Sequence, residues 1–184
     1  ILLNSFIVGT KTTKGKIESV SVVNKDGMMP YSAKRYIDST GDGDVAALSH
    51  VGYEMGRKTD SLVQPMTLIF KMGGVNYERI INYMEKNPEQ FVMNENADLH
   101  KYLAVSGFFD LVKTAQDAGD FDLPRDRVLF FQGINPGEVY VNTTRIIRRN
   151  GTSARDLTEA NIEANHQVDV LQKFFRKYIP GFEK

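Results

Sequence analysis

The sequence predicts an α+β fold, with a group of short strands first and a mixture of strands and helices after it. Residues 5–33 divide into three β-forming segments separated by glycine-containing turns. Apolar side chains in residues 157–178 recur at steps of three and four, which places them on one face of a helix. Between these regions, apolar strand candidates alternate with amphipathic segments. Strands and helices are therefore expected to share the second part of the chain.

The first part of the chain predicts an antiparallel β-meander. Val20 and Val22 alternate with serines, a period of two that suits a half-buried strand. The pair Asp26-Gly27 indicates a hairpin, because both residue types tolerate a positive φ angle. A return strand and a short helix are expected after the meander. The expected elements are strands at 5–11, 16–24, 28–33 and 35–38, a helix opening at 45–48, and a crossing loop at 52–61.

A different pattern begins near residue 64. Asn76 is a typical N-cap residue, and Pro88 would end the helix that follows it. The stripe on the last helix is expected to pack on the rest of this region and to bury Val168, Leu171 and Phe175. The expected elements are strands at 65–72, 127–132 and 139–147, and helices at 76–86 and 98–118. A last long helix is expected to be capped within residues 153–158, from Ser153 to Thr158, and to carry its apolar stripe on residues 157–178.

Composition excludes several classes of protein. The 23 basic and 23 acidic side chains balance, so nothing indicates nucleic acid or an anionic membrane surface as a partner. No segment approaches the roughly 20 consecutive apolar residues of a membrane span. The lack of cysteine excludes disulfides, thiolate metal sites and cysteine nucleophiles. We expect a cytoplasmic protein with no nucleic-acid or membrane partner and no metal, and the oligomeric state stays open.

The most informative segment is an acidic, glycine-spaced loop at residues 38–44, which follows an apolar run and precedes a possible helix. Such a loop is typical of a nucleotide crevice in an α/β sheet, because glycines let the backbone approach a bulky ligand. The same composition also suits a simple sharp turn. A calcium loop is excluded, since its twelfth position would be Ser49, which cannot supply a bidentate carboxylate.

Four separated blocks of the sequence resemble the FAD-dependent oxidoreductases with a flavoprotein fold of the glutathione-reductase type. The blocks are residues 33–47, residues 64–67 with 72–74, residues 137–145, and residues 178–182. The Gly-x-Gly-x-x-Gly fingerprint that would hold the FAD pyrophosphate is absent from the sequence. Together with the start at Ile1-Leu2-Leu3, this absence predicts an internal fragment that lacks the N-terminal fingerprint.

The resemblance implies FAD as the cofactor and hydride transfer between FAD and a small organic substrate in the full-length protein. Residues 1–60 would be a partial FAD-binding domain with a remnant of its β-meander, and residues 61–184 a substrate-side α+β domain. The fragment alone is expected to be inactive and to bind FAD weakly or not at all. The alternative is a non-enzymatic binding or structural module whose acidic loop is only a turn. The residues implied in cofactor binding are Asp38, Thr40, Gly41, Asp42, Gly43 and Asp44.

Arg145 is the candidate catalytic residue on the substrate side. It ends a polar cluster after a predicted strand, and its guanidinium suits a carboxylate or a polarised carbonyl. The alternative is an ordinary surface arginine at the end of a strand. Gln64, Met66 and Asn142 are the candidate substrate residues. By the resemblance, the segment with Gln64, Met66 and Thr67 would face the flavin, although structural packing of a strand suits these three residues equally well.

Overall fold

The computed structural model describes residues 1–92 and 98–183. The chain is a mixed α+β protein with two antiparallel sheets, as its sequence predicts. It divides into two compact units, residues 1–61 and residues 62–184, which we call the N-terminal unit and the C-terminal unit.

The N-terminal unit is built on the predicted meander. Strands β1 (Phe6–Thr13), β2 (Lys16–Asn24) and β3 (Gly27–Tyr31) pair in the order β1-β2-β3, each antiparallel to its neighbour. Helix α1 (Asp44–Leu48) packs on this sheet, where its Val45 joins two buried valines of β2. The hydroxyl of Thr10 donates a hydrogen bond of 2.8 Å to the carbonyl of Leu48 and so ties the end of α1 to β1.

The return strand predicted at residues 35–38 is wrong. The hydroxyl of Tyr36 accepts from the Ala33 N–H at 2.9 Å and donates to the Glu18 carbonyl at 2.9 Å. This side chain, rather than a backbone ladder, attaches the segment to β2. A strand needs its backbone groups paired with a neighbour, and β3, which carries Pro30 and ends at Tyr31, forms no such ladder with residues 35–38.

The sheet of the C-terminal unit has the order β4-β7-β6-β5, antiparallel throughout. The predicted pairing of two strands across the turn at residues 133–137 is confirmed by β6 and β7. The strand predicted at 65–72 was too long, because its first part makes only an isolated bridge between Met66 and Ile146. The strands are β4 (Phe70–Met72), β5 (Ala104–Gly107), β6 (Val128–Gln132) and β7 (Val139–Val141).

Two helices of this unit begin where the sequence predicts. The Asn76 side chain accepts from the Arg79 N–H at 3.1 Å and caps α2. The Ser153 hydroxyl accepts from the Asp156 N–H at 3.3 Å and caps α4. The helices are α2 (Tyr77–Lys86), α3 (Phe109–Asp117) and α4 (Ala154–Tyr178), with a short 3-10 helix at Pro88–Gln90.

The single helix predicted at 98–118 is wrong, because strand β5 precedes α3 there. Gly107 lies against the backbone of a preceding segment, and a Cβ on it would be 2.4 Å from the Gln90 carbonyl oxygen. Phe108 then turns the chain with a φ of +63°. The Gln90 side-chain oxygen accepts from the Asp110 N–H at 2.8 Å and so supports the start of α3. These long-range contacts override the apolar pattern.

The three helices pack on one face of the sheet around an aromatic core. Phe175 of α4 contacts Phe130 of β6 with 5.6 Å between ring centroids, and Phe182 lies 4.7 Å from Phe175. Leu171 and Phe175 are buried, as the stripe predicts, whereas Val168 is only half-buried. Gln167 and Phe174 take buried places on α4 instead.

None of the helices in the described residues is long and apolar enough to cross a membrane. Within residues 1–92 and 98–183, no group of three or more His, Cys, Asp or Glu side chains could hold a metal ion.

Candidate functional site

The carboxylate of Asp38 organises the acidic loop of the N-terminal unit. One of its oxygens accepts from the N–H and the hydroxyl of Thr40, at 3.0 and 2.6 Å, and the other accepts from the Ala46 N–H at 2.9 Å. The Thr40 oxygen in turn accepts from the Asp44 N–H at 2.7 Å. These bonds, first the one from the Thr40 hydroxyl, hold the pKa of Asp38 below its usual range. Asp38 and Thr40 therefore shape the loop and support the start of α1.

The two glycines of this loop differ in what the fold requires of them. Gly43 has a φ of +71°, a left-handed conformation that a side chain would strain. Gly41 has no such angle, and a Cβ there would meet no described atom within 4 Å. The fold therefore favours glycine at position 43 and shows no such preference at position 41. Open space beside the Gly41 backbone is what close approach of a cofactor would use.

In the C-terminal unit, two buried threonines continue the strand pairing beyond the end of β7. The Thr143 hydroxyl accepts from the Leu129 N–H at 2.8 Å and donates to the Leu129 carbonyl at 2.9 Å. The Thr144 hydroxyl likewise accepts from the Leu68 N–H at 2.8 Å and donates to the Leu68 carbonyl at 3.0 Å. Each side chain replaces a backbone partner, which is why β7 ends at Val141 rather than at residue 147. The segment leading to Arg145 is consequently fixed on both sides.

The backbone of Arg145 is held by Gln167, a buried residue of α4. The Arg145 N–H donates to the Gln167 side-chain oxygen at 2.7 Å, and the Gln167 amide nitrogen donates to the Arg145 carbonyl at 3.1 Å. Gln167 is only 3% exposed, so both bonds are shielded from water. This clamp fixes the point from which the half-buried Arg145 side chain extends.

A second arginine lies beside this segment. Arg125 donates from Nε to the Thr143 carbonyl at 2.8 Å and from Nη2 to the Thr144 carbonyl at 3.3 Å. Burial, and next the charge of Arg145, lower the pKa of the Arg125 guanidinium from its usual range. The Arg125 guanidinium therefore lies against the backbone that leads to Arg145.

The three residues predicted to lie near the substrate have different contacts in the structure. Met66 pairs through its backbone with Ile146, and its side chain packs in a small apolar cluster with Ala160 and Ala164. Gln64 is exposed two residues earlier. Asn142 donates its N–H to the Leu129 carbonyl at 2.8 Å. Backbone pairing places Met66 opposite Ile146, the neighbour of Arg145, and the contacts of the Met66 side chain suit packing.

The sheet of the C-terminal unit has a second face, opposite its helices. Side chains alternate along a strand, so Tyr140 and Asn142 point away from the buried Val139 and Val141. Phe131 lies 5.7 Å from Tyr140 between ring centroids, and Lys71 Nζ lies 5.3 Å from the Tyr140 ring. We call this surface the open face; its residues are the exposed Lys71 and the half-buried Leu129, Phe131, Tyr140 and Asn142.

Sequence reasoning missed Gln167 and Arg125. Gln167 had a detectable signal, because it is a polar residue between Ala164 and Leu171 on the apolar stripe of α4. A polar residue at such a position is buried only with hydrogen-bond partners. Arg125 had no detectable signal, because the sequence around it has the composition of an ordinary charged loop.

A family model described as FAD dependent oxidoreductase matches residues 1–184, the whole of the chain. No curated protein and no solved structure matches the chain significantly.

Proposed function

The chain belongs to the FAD-dependent oxidoreductase family, and from that premise we propose that it takes part in the transfer of a hydride between FAD and a small organic substrate. FAD is the cofactor of the family, and when bound it supplies the hydride chemistry. We further propose a flavoprotein fold of the glutathione-reductase type. The family match over the full length of the chain is the observation that carries the proposal.

The N-terminal unit is assigned to the FAD-binding domain, with residues 38–44 next to the cofactor. The unstrained, open position of Gly41 supports this role, because the N-terminal unit itself gives no reason for a glycine there. The exposed carboxylates of Asp42 and Asp44 would accept hydrogen bonds from backbone N–H groups or from ribose hydroxyl groups. Asp38, Thr40 and Gly43 would act by holding the loop in shape.

The C-terminal unit is assigned to the substrate side. The Gln167 clamp orients Arg145, whose guanidinium would stabilise negative charge on a substrate carboxylate or carbonyl oxygen. Asn142 and the aromatic side chains of the open face would form a wall beside the substrate. Gln64 and Met66 would lie at the edge of this region, where Met66 packs in the same apolar cluster as Ile146.

Replacing Gly41 by valine tests the cofactor assignment. In the full-length protein, we expect Gly41→Val to abolish retention of FAD, read from the absorption bands of bound oxidised flavin. In the chain described here, the same change should leave the melting temperature unaltered, since a Cβ would meet no described atom within 4 Å. Gly52→Val is the matched control, because Gly52 is also exposed, unstrained and free of such contacts among the described residues. A Gly41→Val protein that stays yellow would contradict the assignment.

Arg145→Ala tests the catalytic assignment. The variant should keep its flavin and lose a factor of about 10²–10³ in turnover, as is typical when one charge-stabilising donor is removed. The nearby exposed residue Arg148 provides the control variant Arg148→Ala, which should keep normal turnover. Normal turnover in Arg145→Ala would make this residue an ordinary arginine at the end of a strand.

Calorimetric titration of residues 1–184 with FAD tests the proposal that this part alone binds the cofactor weakly or not at all. A large dinucleotide needs most of its surface enclosed for high affinity, and one loop offers few contacts. Binding at micromolar or tighter affinity would overturn this expectation. Full-length protein that purifies colourless and takes up no flavin would favour a non-enzymatic binding or structural module with the acidic loop as a turn.

A further inference from the structure

We propose that a cavity between the loop after α3 and one face of α4 is a binding site for a small zwitterion, such as an amino acid. The cavity has a volume of about 250 Å³ and lies within the C-terminal unit. Acidic side chains from the loop line one side of it, and basic side chains from α4 line the other. The site does not depend on the proposed function, because it follows from contacts among residues 115–178 alone.

The acidic side of the cavity is the turn that follows α3. The Asp120 N–H donates to the Ala115 carbonyl at 2.8 Å, which fixes the turn on the end of the helix. The Oδ2 atom of Asp120 accepts from Lys177 Nζ at 2.5 Å and from the Tyr178 hydroxyl at 2.6 Å. In the part of the chain that the structure describes, Asp120 Oδ1 and the Asp122 carboxylate have no such partners. Both therefore remain available to a cationic group of a ligand.

The basic side of the cavity is one face of α4. His166, Lys173 and Lys177 are spaced by whole turns of the helix, so they lie along the same face. Lys177 is paired with Asp120. Within residues 1–92 and 98–183, Lys173 has no ion pair. The Lys173 ammonium is therefore available to an anionic group of a ligand.

Apolar side chains of α4 complete the cavity. Phe174 and Tyr178 stack with 5.4 Å between their ring centroids, and Val170 lines the cavity beside them. The buried Phe121 contacts Phe174 edge-on, with 4.9 Å between centroids, and so joins this wall to the aromatic core. A rigid apolar wall with a few polar groups around it is typical of small-molecule sites, and here it suits the hydrocarbon part of a ligand.

The distribution of charge favours a zwitterion over a ligand with a single charge. Among the described residues, Lys173 and Asp122 line the same cavity without forming an ion pair with each other. An anion would be attracted by Lys173 and repelled by the two carboxylates, and a cation would meet the reverse situation. A molecule with both charges can satisfy both sides, with its ammonium toward Asp122 and Asp120 Oδ1 and its carboxylate toward Lys173.

Nuclear magnetic resonance of the backbone amides of residues 1–184 tests the site without flavin or turnover. The probes are glycine and γ-aminobutyrate, which carry the same two charges at different separations. Acetate and methylammonium, added together at matched ionic strength, supply the same charges on separate molecules. We expect at least one zwitterion to give saturable shifts at residues 119–122 and 170–178 in the millimolar range, and the mixture to give none that saturates. Shifts that saturate with neither zwitterion, or that the mixture reproduces, would overturn the proposal.

Variants test the two sides of the cavity separately. Lys173→Gln and Asp122→Asn should each weaken binding of the better zwitterion by at least about tenfold, because each removes one charged partner. Arg176→Gln and Asp169→Asn are the matched controls, since these exposed residues of α4 carry the same charges outside the cavity. Unchanged affinity in either cavity variant, or an equal loss in a control variant, would reject the site. All four changes are at exposed positions, so each variant should keep the circular dichroism spectrum of the unaltered chain.

Discussion

Each of the two units of this chain is stabilised internally by a different kind of interaction. The N-terminal unit has a small apolar cluster of buried valines, and its functional loop is shaped by hydrogen bonds of Asp38 and Thr40 at exposed positions. The C-terminal unit buries a continuous aromatic core between its sheet and three helices. Apolar burial contributes most of the free energy of folding. The C-terminal unit should therefore be much the more stable of the two.

The difference also separates the two candidate sites. The loop at residues 38–44 depends on local polar contacts that open easily, as is common for ligand-binding loops. Arg145 is instead fixed by the buried residues Thr144 and Gln167. The cofactor loop is thus expected to be ordered partly by its ligand, whereas the backbone at Arg145 is preorganised by the fold.

The largest expected effect is on the aromatic core. Phe175→Ala should destabilise the C-terminal unit by about 3–5 kcal/mol, since it removes a fully buried ring and leaves a cavity. Thermal unfolding followed by circular dichroism should show the melting temperature of this unit falling by roughly 10–20 °C. Leu157→Ala on the same helix is the control and should have little effect, because Leu157 is 42% exposed. An unchanged melting temperature in Phe175→Ala would mean that α4 does not pack as described.

A smaller, localised effect is expected in the valine cluster. Val45→Ala should cost the N-terminal unit about 1.5–3 kcal/mol, because it removes the buried contact between α1 and the sheet. Alanine is a better helix former than valine, so any loss must come from packing. Amide hydrogen exchange should accelerate in residues 1–61 and stay unchanged in the C-terminal unit. Equal acceleration in both units would contradict their separate stability. Leu48→Ala, at an exposed position of α1, serves as the control.

Sequence reasoning succeeded where the determinants of structure lie within a few residues. The hairpin at Asp26-Gly27 and the helix caps at Asn76 and Ser153 are such cases. It failed at residues 98–118, because Gly107 is needed for contact with Gln90, which is distant in the sequence. An apolar pattern alone could not show that a strand interrupts it.

The same distinction applies to the candidate sites. Gly41 and Arg145 could be proposed from the sequence because they stand in recognisable local motifs. The partners that hold Arg145 could not, since Gln167 lies 22 residues away along the chain. Arg125 acts on the carbonyls of Thr143 and Thr144 through a loop with no distinctive pattern. Long-range hydrogen bonds between side chain and backbone leave almost no trace in one sequence.

The smallest effect concerns the polar organisation of the N-terminal unit and depends on pH. Because the pKa of Asp38 is lowered in the folded state, its hydrogen bonds stabilise the unit above the unfolded pKa. This contribution should be lost as the pH falls from about 4, the ordinary value for aspartate, through the lower folded value. Asp38→Asn should therefore flatten the decline in stability of residues 1–61 at acid pH, measured by hydrogen exchange or thermal unfolding.

Glu18 also has a lowered pKa, through its hydrogen bond with Lys11, and the acid sensitivity that it causes remains in every variant. The informative quantity is thus the difference between Asp38→Asn and the control Asp42→Asn, an exposed carboxylate of the same loop. We expect Asp42→Asn to follow the unaltered chain and Asp38→Asn to lie below it near neutral pH, converging with it in acid. Parallel curves for all three proteins would show that the Asp38 bonds contribute nothing to the N-terminal unit. The valine cluster alone would then hold the loop in place, and the contrast between a polar and an apolar unit would disappear.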